Sequence, residues 1–127
     1  MPAFLMFIML GVQFAYAQDN NKPATSDTEI LRTILGSLNL ESPEKDLNKN
    51  IRSGDLRFVC ICGYACYTPG VENSDIDLTK KYGTRCLEGT SDMIENKEHG
   101  KLMQTAEQYA KRYNTSLLKK LKLKENP

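Results

Sequence analysis

Hydrophobic positions change their period along this chain, and each change marks an element. Ile30, Leu31, Ile34, Leu35 and Leu38 recur at helical spacing. Ser26-Asp27-Thr28-Glu29 before them is a capping box, in which Ser and Glu satisfy free N–H groups at a helix start. A helix is expected from Asp27 to about Leu38. Ser42-Pro43 restarts the pattern, with Pro43 suited to the first helical position. A second, short helix to about Asn50 would bury Leu47 and Ile51. Ser53-Gly54-Asp55 breaks it. Leu56 to Cys62 (LRFVCIC) then switches to strand composition, with Leu56, Phe58, Cys60 and Cys62 expected on one face. Gly63 and Thr68-Pro69-Gly70 are turn signals.

Ser74-Asp75 reads as another helix cap and Gly83 as a stop, which predicts a short helix over 75–82. Residues 88–100 are polar and read as a loop, with Met93 and Ile94 as its apolar exceptions. The last element is the clearest. Leu102, Ala106, Tyr109, Ala110, Tyr113, Leu117 and Leu121 form one stripe, with Lys101, Lys111, Arg112, Lys119 and Lys122 roughly opposite. An amphipathic helix is expected from about Lys101 to Leu121. Lys120 and Lys124 interrupt the apolar stripe, so the last turns are expected to run past the core.

The amino terminus obeys a different rule. Residues 3–10 (AFLMFIML) are apolar and Ala15-Tyr16-Ala17 follows as an A-x-A cleavage signal. Such a core ending in small residues reads as a secretory signal peptide over residues 1–17. It is too short for a membrane span, which needs about 20 apolar residues. Residues 18–25 (QDNNKPAT) are polar and read as a disordered arm. Residues 26–127 remain as a single disulfide-stapled domain, secreted and extracellular. The expected fold class is α+β and α-rich: a small disulfide-stabilised domain with a long C-terminal helix and one or two short strands around residues 56–62.

The export signal decides how to read Cys60, Cys62, Cys66 and Cys86. Oxidising compartments favour disulfides. Zinc sites usually space their ligands as C-x2-4-C pairs, which C-x-C-x3-C with Cys86 twenty residues later fits poorly, and redox motifs want C-x-x-C. No metal and no cofactor are expected. Cys60 and Cys62 lie too far apart on a strand to pair without strain. Cys60–Cys86 with Cys62–Cys66 is slightly favoured, because Gly63 allows a tight bend. The swapped pairing satisfies the geometry almost as well.

Chemistry beyond the staples is sparse. His99 is the one histidine, in Glu98-His99-Gly100, and reads as a solvated loop residue. No nucleophile elbow, zinc-protease or phosphate-loop motif occurs, so no catalytic residue is named and the chain reads as a non-enzyme. Glu72, Asp75 and Asp77 lack an EF-hand's ligand set and read as a helix start. Asn114-Thr115-Ser116 is an N-glycosylation sequon, so Asn114 is a candidate glycan site. Formal net charge is only +1, which argues against a nucleic-acid partner. Six basic residues and no acid lie between Lys111 and Lys124.

These features point to a secreted, non-enzymatic binding protein, with an extracellular protein or receptor as partner, as for an effector, toxin-like protein or signalling ligand. The expected binding residues are Tyr64 and Tyr67 on the disulfide-held turn, with Thr68, Pro69 and Gly70 beside them, and Lys119, Lys120 and Lys122 on the basic helix. Two alternatives stand behind this reading. One is a membrane-active, antimicrobial-type protein whose basic helix meets an anionic membrane, a surface that would also suit a sulfated glycan. The other is a carrier of small hydrophobic ligands.

Overall fold

In a computed structural model, residues 26–62, 65–87 and 96–125 are described. The expected signal peptide, the polar arm and Tyr64 lie outside them. Helix α1 is Asp27–Gly36 and helix α2 is Pro43–Arg52. Strands β1 (Phe58–Cys62) and β2 (Cys66–Tyr67) follow, then a 3-10 turn at Asn73–Asp75. Helix α3 (Ile76–Tyr82), strand β3 (Thr84–Leu87) and the 29-residue helix α4 (Lys97–Glu125) complete the order. The fold is helix-rich around a small three-stranded sheet, with a long helix at the C-terminal end.

The helix starts follow their signals unevenly. Ser26 caps α1 by accepting the Glu29 N–H at 3.2 Å. Pro43 opens α2, but Ser42 makes no side-chain capping bond. Leu31, Leu35 and Leu47 are buried as expected. Helix α1 ends at Gly36 and not Leu38, and α2 runs two residues past its predicted end.

The sheet has the order β2-β1-β3. β1 pairs antiparallel with β2, with Ile61 opposite Tyr67 and Cys62 opposite Cys66. It pairs parallel with β3, with Phe58 opposite Thr84 and Cys60 opposite Cys86. A parallel pair needs a crossover, and the segment carrying α3 supplies it. Gly83 ends α3 at φ 88°, a left-handed conformation that favours glycine. Strand β3 has no counterpart in the sequence prediction. Four residues with a single apolar member inside the ladder are too short for a periodic signal.

Two expectations change here. β1 was predicted with one apolar face, yet Phe58, Val59, Cys60 and Ile61 are all buried. As the central strand it is covered on both faces, and such strands read as continuous apolar runs. α4 begins at Lys97, four residues before its predicted start, and takes in His99 and Gly100. Asn96 Oδ1 accepts the His99 N–H at 2.7 Å, a side-chain N-cap.

Both disulfides join residues that face each other across the ladder: Cys60–Cys86 between β1 and β3, Cys62–Cys66 between β1 and β2. This is the slightly favoured pairing. The core lies where α4 meets α1, α2 and β1. Its members include Leu31, Leu47, Phe58, Ala106, Tyr113 and Leu117.

Candidate functional site

The two ends of α4 treat polar groups differently, and that difference locates the site. Asn114 is fully buried. Its Oδ1 accepts the Val59 N–H at 2.8 Å, while its Nδ2 donates to the carbonyls of Val59 and Pro69, each at 2.8 Å. Ile61 and Val59 point the same way along β1, two residues apart. β2 reaches Ile61 but not Val59, so the Asn114 amide acts as the missing rung of the ladder. A glycan would have to leave from that same Nδ2. The expected placement of Asn114 on an exposed flank, as a candidate glycan site, is therefore corrected: in the folded domain this nitrogen is a core hydrogen-bond donor.

His99 is corrected likewise. It is fully buried in the first turn of α4, with Nδ1 2.9 Å from Thr28 Oγ1. It joins α1 to α4 and is not a solvated loop residue. Tyr109 donates from its hydroxyl to Asp46 Oδ2 at 2.7 Å, and Asn50 donates to the Tyr113 hydroxyl at 2.8 Å. Burial, then the Asp46 carboxylate, pushes the Tyr109 phenol well above its ordinary range. Burial also raises Tyr113.

The predicted binding turn is partly consumed by packing. Pro69 is buried, and a Cβ on Gly70 would stand 2.9 Å from the Lys111 carbonyl. Thr68 is half-buried. Tyr67 remains 48 % exposed on the edge strand. Its phenol is raised by partial burial and then by the Glu107 carboxylate. Glu107 lies thirteen residues before Lys120, about 20 Å along a helix. Tyr67 and the lysine cluster are thus separate surfaces. Within that cluster Lys119 and Lys120 are exposed, and Lys122 pairs with Asp75 at 3.2 Å.

Lys120 lines a cleft of about 510 Å³ between α2 and the last turns of α4. Leu117, Lys120, Leu121 and Lys124 come from α4 at spacings of three, one and three, one helix face. Asn48, Ile51 and Arg52 come from α2 by the same rule. The chain then turns through Gly54 at φ 88° and brings Leu56 to close the floor. Ile51, Leu56, Leu117 and Leu121 make the apolar surface; Arg52, Lys120 and Lys124 make the rim.

No acid lines the cleft, and two acids beside it in the chain are already engaged. Asp55 accepts from Arg57 at 3.0 Å, and that hydrogen bond holds its carboxyl below the usual range. Glu125 accepts from Lys81 at 2.6 Å and from the Tyr82 hydroxyl at 2.8 Å, and is lowered by both. Among the described residues Arg52, Lys120 and Lys124 make no ion pair. The cleft is therefore apolar below and positive above, a combination that suits an anion with an apolar body. Its volume lies within the range of small-molecule sites, about 300–1,000 Å³.

The sulfurs offer less. Those of Cys60, Cys62 and Cys66 lie within 4.8 Å of one another, but all are in disulfides and present no thiolate to a metal. Sequence reasoning singled out Lys120 but missed Arg52 and the apolar floor. The signal available was a pair of lysines on the apolar stripe of the last helix; their partners on α2 appear only in three dimensions. No family model, curated protein or solved structure matches the chain.

Proposed function

We propose that this chain is a secreted, non-enzymatic binding protein that takes an anionic ligand with an apolar body into the α2–α4 cleft. The observation that carries this reading is three unpaired cations above a floor of four apolar side chains. Arg52 and Lys124 lie in the last turns of α2 and α4, where a cation complements the helix dipole, but that role leaves their donors open. Those donors offer charge-assisted hydrogen bonds to an incoming carboxylate, sulfonate or phosphate. Secretion is supported by the apolar leader with its A-x-A motif and by the two disulfides. The non-enzymatic reading is supported by the histidine, whose Nδ1 faces Thr28 inside the core, and by the absence of free cysteines among the described residues.

The sequence alone ranks an extracellular protein target ahead of a small hydrophobic ligand. The present reading puts the small ligand first, because the cleft's volume suits a compact ligand and Tyr67 lies too far away to share it. A protein or sulfated glycan that used the same cations would compete with the small ligand.

The test is fluorescence titration with anilinonaphthalene sulfonate, an apolar anion, beside a neutral apolar dye. The expected result is saturable one-to-one binding of the sulfonate. Each of the substitutions Arg52→Glu, Lys120→Glu and Lys124→Glu should weaken it about tenfold, the equivalent of losing one charge-assisted contact worth about 1.4 kcal/mol. Equal binding of the neutral dye, or indifference to all three charge reversals, would refute the proposal.

A further inference from the structure

Helix α3 packs unlike the other helices. None of its residues is fully buried, and its apolar Leu78 and Tyr82 rest half-buried against the core. Both of its ends are tied to α4 by polar side chains. Asp75, just before α3, pairs with Lys122 at 3.2 Å. Lys81 and Tyr82, at its end, both donate to Glu125 Oε1, at 2.6 and 2.8 Å. Lys122 and Glu125 stand three residues apart, on one face of α4. Lys120 and Lys124, four apart, stand on the opposite face and line the cleft. The same end of the helix carries the fastening on one side and the ligand cations on the other.

Glu125 is the last residue of α4, where the helix dipole disfavours a negative charge. Two donors from α3 offset that conflict, and they hold its carboxyl below the usual range. Helix ends open at almost no cost. Exposed ion pairs add little to a whole fold. At a fraying turn, however, a few-fold change in population decides whether Lys124 stands over the cleft, and affinity falls with the fraction that is competent.

We propose that α3 is a strap whose ties, Asp75 to Lys122 and Lys81 with Tyr82 to Glu125, keep the last turns of α4 wound and Lys124 seated on the cleft rim. Asp75 and Glu125 are then positioning residues for a ligand they do not touch. The inference rests on the cleft reading proposed above. By linkage, a ligand in the cleft steadies the strap in return.

Removing the two acids separates the strap from plain charge. Glu125→Ala and Asp75→Asn each take a negative charge from beside the cleft, and Glu125→Ala also relieves the dipole conflict. Charge alone predicts tighter binding of anilinonaphthalene sulfonate. The strap predicts weaker binding, by about threefold for Glu125→Ala and about fivefold for the double variant, on the scale of exposed ion pairs. Hydrogen exchange reads the coupling directly. Amides of residues 121–125 should exchange faster in Glu125→Ala than in the wild type. Sulfonate should slow exchange across Ile76–Tyr82 of the wild type, although none of those residues lines the cleft. Binding by Glu125→Ala at or above the wild-type level, or α3 exchange indifferent to sulfonate, would overturn the strap and leave the cleft reading standing. Absence of sulfonate binding by the wild type would sink the cleft reading and the positioning role with it. The exchange rates of Glu125→Ala, measured without ligand, would still decide whether α3 holds the end of α4.

Discussion

The middle and the end of α4 are one helix with one stripe, yet they solve opposite problems. From Ala106 to Leu118 its buried polar side chains are engaged. Tyr109 meets Asp46, Tyr113 meets Asn50, and Asn114 completes the edge of β1. Of the two cations on this stretch's outer face, Arg112 pairs with Glu44 at 3.0 Å, while Lys111 makes no ion pair among the described residues. From Lys120 onward, two cations on the inward stripe face an apolar cleft with no acid. Engaged groups contribute to folding, because a buried polar atom left alone is expensive. Exposed charges without an ion pair contribute much less, and their donors are free to meet a ligand. The comparison teaches that a residue's partners, more than its type, separate scaffold from site.

The hardest test of this division falls on Asn114. Asn114→Ala orphans three buried backbone groups, so urea unfolding should show a loss of about 4 kcal/mol, at about 1–3 kcal/mol per orphaned group. A loss under about 1 kcal/mol would break the comparison at its centre. The same engagement predicts that the folded protein secreted from eukaryotic cells carries no N-glycan, so N-glycosidase treatment should leave its mass unchanged.

The staples of β1, on which the middle of α4 rests, should rank by loop length. Replacing Cys60 and Cys86 with serine opens a loop with a sequence separation of 26, and chain entropy assigns this about 3.5 kcal/mol. Replacing Cys62 and Cys66 opens one with a separation of 4, worth about 2 kcal/mol. Equal losses in urea unfolding would argue against an entropic role.

The tyrosines sharpen the contrast through pH. An unfolded tyrosine releases its proton near pH 10. Folded Tyr109 and Tyr113 are both raised, so above about pH 10 the unfolded state binds fewer protons than the folded one. Their contribution is complete below pH 10 and is lost as pH rises further, by at most about 1.4 kcal/mol per pH unit for each tyrosine. Unfolding followed from pH 8 to 11 should show this slope, and Tyr109→Phe should reduce it. The smallest effect belongs to the other end of the helix. Lys120→Glu and Lys124→Glu should each cost less than about 1 kcal/mol in urea unfolding, the scale of a last-turn charge against the helix dipole, while changing ligand binding. A larger stability loss at either would return that end to the scaffold.

Legibility in the sequence followed the length of each signal. Three helices were placed within a few residues, because capping residues and a 3.6-residue period are local properties. The start of α4 was missed because Gly100 and a polar run outweighed the Asn96 cap. Strand β3 was missed because its four residues mean nothing until β1 lies beside them. Asn114 was read as a surface acceptor because a sequon is a local pattern, while burial is not. For the cleft, the lysines on the stripe were legible. Arg52 and Leu56 were not, since their relation to Lys120 depends on how α2 crosses α4.

By itself the sequence determined the helix periods, the strand composition of β1, the breaks at Gly54 and Gly83, and a choice between two disulfide pairings. Each depends on neighbours within a few residues, where backbone sterics and side-chain spacing decide. Only the tertiary structure decided that Cys86 faces Cys60, that Asn114 and His99 are core groups, and that Arg52, Lys120 and Lys124 share a rim. Those outcomes depend on contacts between segments up to 72 residues apart in the chain. No local rule reaches that far, because hydrophobic burial is non-directional and selects a packing only for the chain as a whole.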